Sequence, residues 1–250
     1  MSNSSLVSYT LISPNKNSPR KYPIDRISIH CVVGQCSVET LGSLFSQPTR
    51  QASSNYGVGK DGRIGMFVEE KDRSWCTSSA ANDHRAITIE VASDATHPYA
   101  VKDAVFAALL DLVTDICKRN GKKKLLWFGD KDKTLAYTPA ADEMVLTVHR
   151  WFANKSCPGD YLYNRHAEIA ATVTKRLNPK EEPAVKEIRY NAIVELPDFA
   201  KPTITKLVDN GFLQGSGGAK DKDGRPADLD LSIDMVRLLV IHDRAGLYDA

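Results

Sequence analysis

Three side chains that can bind a transition metal lie in two short stretches of the sequence. His149 and Cys157 stand in LTVHRWFANKSCPGDYL, and His30 ends the stretch ISIH. Catalytic zinc is commonly held by three histidine, cysteine or carboxylate ligands and keeps a fourth position open for water. The three residues are therefore a candidate zinc site. Residue types alone leave an alternative open, because a histidine at a strand end is more often structural.

The hydrophobic pattern predicts the scaffold that must position these residues. RISIHCVVG, RAITIEVA and KKLLWFG have strand character, and YGVGKDGRIGMFVEE predicts a hairpin that turns at Lys60-Asp61-Gly62. Helical spacing is found in SVETLGSLFSQP, in AVKDAVFAALLDLVTDICKRNG and in residues 159–177. Strands and helices mixed in this way predict an α/β domain in which one central sheet is flanked by helices.

Several of these segments together resemble one known family. ISIHCVVG, ITIEVA, SSNYGVGKDGRI and LTVHRWFANKSCPGDYL resemble the type 2 N-acetylmuramoyl-L-alanine amidases, which include phage lysozyme-like amidases, muropeptide-recycling amidases and peptidoglycan recognition proteins. The resemblance covers residues 7–177, and the spacing of the two histidines and Cys-Pro-Gly is its most specific part. It implies a mixed β-sheet flanked by helices, a Zn²⁺ site, and hydrolysis of the amide between N-acetylmuramic acid and L-alanine.

The resemblance also assigns roles to individual residues. It implies that His30, His149 and Cys157 are zinc ligands, that Glu90 is the catalytic glutamate, and that Lys155 is the catalytic lysine. Glu90 would exchange protons with water and the leaving amine, and Lys155 would stabilise the oxyanion. The alternatives are a polar position on an edge strand for Glu90 and a solvated loop charge for Lys155.

The sequence departs from the family pattern at two places. Some members carry a catalytic tyrosine where this chain has Ser54, which leaves the work of the base to Glu90. A Trp-His pair is common where this chain has Trp75-Cys76, so one substrate contact is lost. Trp75 and Tyr56 are nevertheless expected to line the substrate groove, with packing of the hairpin as the alternative for Tyr56.

Composition limits the class of protein. The net charge of +2 is too small to indicate a nucleic-acid partner, and no apolar run is long enough to span a membrane. The N-terminus lacks the pattern of a Sec signal peptide, which predicts a product made in the cytosol. Five cysteines are too few and too scattered for a disulfide scaffold, and Cys117 is expected on the apolar face of a helix, packed in the core. His166 is expected on a helix without a metal role.

The C-terminal part of the chain has a pattern of its own. Residues 179–187 are polar, contain two prolines and predict a linker between a zinc amidase domain at 1–178 and a small helical module at 188–250. Helices are expected from about Pro202 to Asn210 and after Ser232. The module resembles wall-binding modules of the S-layer-homology type, which implies a wall polymer as a partner. The alternative is a helical appendage that packs or forms a homodimer.

These observations favour a zinc-dependent peptidoglycan amidase, expected as the endolysin of a phage or prophage of a Gram-positive bacterium. Such a protein would stay in the cytoplasm of the infected host until a holin releases it to the wall. Two alternatives remain open at this stage. One is a non-catalytic peptidoglycan-binding protein on the same fold, and the other is a cytosolic amidase that recycles soluble muropeptides.

Overall fold

The computed structural model describes residues 2–179 and 187–249 and divides the chain into two compact units, Met1–Pro179 and Lys180–Ala250. Most of the predicted linker, residues 180–186, lies outside the described residues. Among the described helices, none combines the length and the apolar character needed to cross a bilayer.

The first unit is built on a seven-stranded mixed sheet. Its strand order is β1-β5-β4-β7-β3-β9-β8, and only the hairpin pair β4–β5 is antiparallel. This confirms the predicted mixed sheet flanked by helices. The strands of the unit, with a small separate pair formed by β2 and β6, are β1 Val7–Thr10, β2 Lys16–Asn17, β3 Arg26–Cys31, β4 Tyr56–Val58, β5 Ile64–Met66, β6 Arg73–Ser74, β7 Ala86–Val91, β8 Lys124–Leu126 and β9 Glu143–Thr147.

The helices of the first unit match the periodic segments of the sequence. The predicted helix at 159–177 is present with those bounds, and Ser37 caps the first helix by accepting a hydrogen bond from the Thr40 amide. Three-residue 3-10 helices lie at Pro48–Arg50 and His149–Trp151. The α-helices are α1 Val38–Phe45, α2 Ala80–Asp83, α3 Asp103–Arg119, α4 Lys131–Ala136 and α5 Gly159–Leu177.

The central strand β3 has one apolar face and one polar face. Ile27 and Ile29 are fully buried in the same cluster as apolar residues of α3 and α5. Successive side chains of a strand point to opposite faces, so Arg26, Ser28 and His30 share the other face. There the Ser28 and Thr147 hydroxyls lie 2.6 Å apart. The apolar face makes the core, and the polar face carries the candidate site at its carboxyl end.

The second unit contains α6 Lys201–Asp209, α7 Ile233–Arg244 and the antiparallel pair β10 Arg189–Tyr190 and β11 Leu231–Ser232. Both predicted helices are present, and the Ser232 hydroxyl accepts a hydrogen bond from the Met235 amide as the expected N-cap. A 3-10 helix lies at Ile193–Glu195. The unit has its own buried apolar cluster, formed by Leu196, Ala200, Ile204, Leu207, Leu229, Leu231, Val236 and Val240.

Candidate metal centre and cleft

The three predicted ligands meet at the carboxyl ends of neighbouring parallel strands. His30 lies near the end of β3, His149 follows β9, which pairs with β3, and Cys157 precedes α5. One nitrogen of each histidine and the Cys157 sulfur all lie within 4.8 Å of one another. His30 Nδ1 is 3.3 Å from Cys157 Sγ, and the two imidazole centroids are 5.1 Å apart. The fold therefore brings the candidate ligands together from distant parts of the sequence.

The spacing and chemistry of the three groups fit a zinc ion. Zinc binds imidazole nitrogen at about 2.0–2.1 Å and thiolate sulfur at about 2.3 Å in tetrahedral geometry, which places those atoms about 3.5 Å apart. The 3.3 Å between His30 Nδ1 and Cys157 Sγ is close to that separation. Two nitrogens and one sulfur leave a fourth tetrahedral position for water or substrate.

Burial keeps the imidazoles in the neutral form that binds metals. Burial lowers the pKa of His30 to about 3, and the nearby His149 adds to the effect. The pKa of His149 is also lowered, first by burial and then by the charge of Lys155. A hydrogen bond with Cys31 and burial raise the pKa of Cys157 well above its ordinary value. The three groups are therefore all uncharged at neutral pH until a cation binds.

Glu90 lies directly beside this cluster. It is the register partner of His30 on β7, and its Oε1 is 4.0 Å from His30 Nδ1 and 3.8 Å from Cys76 Sγ. Its side chain is 17 % exposed, and burial raises the pKa of Glu90 to about 8, with Cys31 adding to the effect. A carboxyl group with a pKa near neutrality can both accept and return a proton. β7 lies inside the sheet, so Glu90 is not on an edge strand.

A cleft with a cavity of about 390 Å³ opens over the cluster. Glu90, His149 and Cys157 line it, together with the exposed Lys155 and the half-buried Trp75. Trp75 is held in place because its Nε1 donates a hydrogen bond of 2.7 Å to Asn17 Oδ1. Six of the seven predicted site residues thus lie at one place.

A comparison with models of protein families shows to which family the chain belongs. The family model described as N-acetylmuramoyl-L-alanine amidase matches residues 20–160. The chain belongs to this family. The predicted resemblance is confirmed, and membership of the amidase family supports an amidase activity on peptidoglycan. The matched region contains all of the predicted site residues.

Similar solved structures include a mutant of PlyL, a selenomethionine derivative of AmpD, and the endolysin amidase LysCS from Clostridium intestinale URNW. The PlyL mutant is 12% identical over 69% of this chain and 98% of its own, with a TM-score of 0.48. The AmpD derivative is 17% identical over 68% and 99%, with a TM-score of 0.47. LysCS is 15% identical over 65% and 92%, with a TM-score of 0.46. No curated protein matches this amidase-family chain in sequence.

Tyr56 is the exception among the predicted site residues. It is fully buried, its hydroxyl donates a hydrogen bond of 2.7 Å to Glu70 Oε1, and it accepts one of 2.9 Å from the Ser4 amide. A side chain without exposed surface cannot contact a polymer in the cleft. The expectation of a substrate contact is therefore corrected, and Tyr56 is a core residue that joins the N-terminus to β4.

The structure adds residues that the sequence did not indicate. Ser78 Oγ lies 2.9 Å from His149 Nε2 and can fix the orientation of that imidazole. Cys31 lies against Cys157, and Cys76 forms a second cluster with His30 and Glu90 whose ligand atoms are within 4.8 Å of one another. No sequence signal pointed to Ser78, because the contact joins two residues that are 71 positions apart in the chain.

Proposed function

We propose that the protein is a zinc-dependent amidase that cleaves the bond between N-acetylmuramic acid and L-alanine in peptidoglycan. The observation that carries the proposal is the convergence of His30, His149 and Cys157 beside the partly buried Glu90 carboxyl, at a cleft in a chain of the amidase family. In this proposal the first three residues are the ligands of the zinc ion.

Each remaining site residue has a defined role in the proposed reaction. When bound, zinc supplies a Lewis acid that activates water and polarises the amide carbonyl. Glu90 accepts the proton of the attacking water and returns it to the leaving amine of L-alanine. The Lys155 ammonium, at the rim of the cleft, stabilises negative charge on the carbonyl oxygen. Trp75 offers an apolar surface on which the substrate packs.

The test combines metal analysis with product identification. Purified protein should contain about one zinc per chain, release new N-terminal alanine from peptidoglycan, lose activity to a chelator and regain it with Zn²⁺. If the protein is the proposed amidase, the Cys157→Ser variant should lose both metal and activity. If the protein only binds peptidoglycan, the same variant should bind the wall as the wild type does. New reducing sugar in place of N-terminal alanine would identify a glycosidase and contradict the proposal.

We further propose that the amidase serves as a phage or prophage endolysin, held in the host cytoplasm and released to the wall by a holin. Rates on intact sacculi and on soluble muropeptides separate this role from muropeptide recycling. An endolysin should clear intact sacculi readily. Cleavage restricted to soluble fragments would identify a recycling enzyme instead. Cells that produce the protein should lyse only when a holin is also produced.

We propose that the first unit is the catalytic domain, residues 1–178, and that residues 188–250 bind a wall polymer. The second unit has its own apolar cluster, yet Leu238 and Ile241 on α7 remain 53 % and 61 % exposed. Ile241→Lys should reduce co-sedimentation with Gram-positive walls, while Leu6→Lys, at an exposed position of the first unit, should not. Conversion of a homodimer to a monomer by Ile241→Lys, with wall binding intact, would favour the dimer alternative.

A further inference from the structure

A second cavity lies next to the candidate metal centre. Its volume is about 890 Å³, and it is bounded by α2, the 3-10 helix at His149–Trp151, α4 and the residues before β3. Ser78 lines this cavity and also forms a hydrogen bond with His149, so only the Ser78 side chain separates the cavity from a proposed ligand. The proposed reaction does not use it.

Arg26 is a buried cation that lines this cavity. The residue is only 5 % exposed, and its Nη1 donates a hydrogen bond of 3.2 Å to Asn82 Oδ1. No carboxylate of the described residues lies within ion-pair distance of Arg26. The adjacent Asp25 is bound by Arg85, whose Nε is 2.9 Å from Asp25 Oδ1. A buried charge without a counter-ion is costly, so an anion that enters the cavity is favoured.

The other groups that line the cavity favour the same kind of ligand. Arg26, Arg85 and Lys131 are positive, and Asp25 is the only acidic residue among the lining side chains. Burial, followed by the charge of Arg85, lowers the pKa of Arg26, and the charge of Asp25 opposes this shift. Trp151 adds an apolar wall. A guanidinium pairs best with a planar carboxylate, which it can bind through two parallel hydrogen bonds.

The position of Arg26 along β3 sets a distance from the metal centre. Arg26 and His30 lie on the same face of the strand, four residues apart. Ser28 lies between them on this face, and Asn82 forms hydrogen bonds with both Arg26 and Ser28. At about 3.3 Å per residue this separation is roughly 13 Å. An extended peptide advances by a similar amount per residue. A peptide cleaved at the metal centre would therefore reach Arg26 with a residue about four positions beyond the cleaved bond.

We propose that Arg26, oriented by Asn82, binds the free carboxylate at the carboxyl end of the stem peptide and determines the preferred length and charge of the substrate. The inference rests on the proposed amidase function and deepens it. It assigns the cavity of about 890 Å³ to the part of the stem peptide that lies beyond the scissile amide.

The wild-type enzyme provides the first test. Its kcat/KM is measured on a muramyl tetrapeptide with a free terminal carboxylate, on the same peptide with a terminal carboxamide, and on a muramyl dipeptide. Loss of one partner of a buried charge pair weakens binding by about 30-fold or more. We expect the free carboxylate to be preferred over the carboxamide by a factor of that size, mainly through KM, and the dipeptide to be a poor substrate.

Substitutions then connect this preference to Arg26. Arg26→Met should lower kcat/KM on the carboxylate tetrapeptide until it is about equal to kcat/KM on the carboxamide. Arg26→Lys should keep part of the preference for the carboxylate. Arg176→Met, at an ion pair with Asp111 outside the cavity, should keep the wild-type ratio. Equal rates of the wild-type enzyme on the two tetrapeptides would overturn the inference and leave the amidase function intact. Absence of cleavage of every substrate would instead refute the proposed function.

Discussion

The buried imidazole of His166 is expected to lower the free energy of unfolding at acidic pH. His166 lies on α5, is fully buried, and donates from Nδ1 to the Leu162 carbonyl over 2.6 Å. Its ring centroid is 4.5 Å from that of Trp127. Its Nε2 has no hydrogen-bond partner among the described residues, so an added proton would have no acceptor there. The perturbation to test is His166→Phe, which keeps an aromatic ring and removes the titration.

The sign and size of the effect follow from the pKa of His166. Burial lowers this pKa from 6.5 to about 4, so the unfolded chain takes up a proton before the folded protein does. Stability is therefore lost as the pH falls from about 6.5 to about 4. At about 1.4 kcal/mol per pH unit, His166 costs the wild type about 2 kcal/mol at pH 5 and about 3 kcal/mol at pH 4. His166→Phe loses one hydrogen bond, worth about 1 kcal/mol at every pH.

The assay is urea unfolding of metal-free protein, followed by tryptophan fluorescence at pH 7.5 and pH 5. All three tryptophans (Trp75, Trp127 and Trp151) lie in the first unit, so the signal reports on that unit alone. The variant should be less stable than wild type at pH 7.5 and more stable at pH 5. His97→Phe, whose side chain is 71% exposed, should show no such change of order. An equal stability difference for His166→Phe at both pH values would refute the reasoning.

Three further predictions concern the site and its support. Tyr56→Phe should lower the free energy of unfolding by about 1–3 kcal/mol, because the buried Glu70 carboxylate and the Ser4 amide lose a partner, while the activity per folded molecule stays unchanged; a selective loss of activity would return Tyr56 to the cleft. Glu90→Gln should keep its zinc and lose about 10²–10⁴-fold in kcat, measured as release of N-terminal alanine; full activity would exclude Glu90 as the base. Lys155→Met should also keep its zinc and lose about 10²–10³-fold in kcat with a smaller change in KM, and an effect confined to KM would assign Lys155 to binding alone.

Regular segments of the fold could be predicted because their signals are local. The helix at 159–177 has a Pro-Gly start and apolar residues at helical spacing, and the hairpin of β4 and β5 has a clear turn. Other elements depend on distant partners. β1 pairs in parallel with β5 from a separate part of the chain, and β9 is a five-residue buried run without polar alternation. Neither was predicted, since pairing and burial decide their structure.

The candidate site also contains residues that a sequence motif predicts and residues whose positions depend on distant contacts. His30, His149, Cys157 and Glu90 could be proposed because the spacing of the motif is family-specific, and the strand order then brings them together. The face to which a strand residue points is set by its neighbours, and the partners Glu70 and Ser4 hold Tyr56 in the core. The burial of Arg26 against Asn82 also depends on contacts 56 residues apart, which no local pattern contains.

The order in which the ribosome makes the strands determines when the proposed metal centre can form. β3 is synthesised early, but two of the three proposed ligands, His149 and Cys157, come more than a hundred residues later. A nascent chain that stops before residue 149 therefore carries at most one ligand and cannot assemble the centre. If the protein is the proposed endolysin, premature termination would yield no hydrolase, and the enzyme would become active only when translation of the whole first unit is complete.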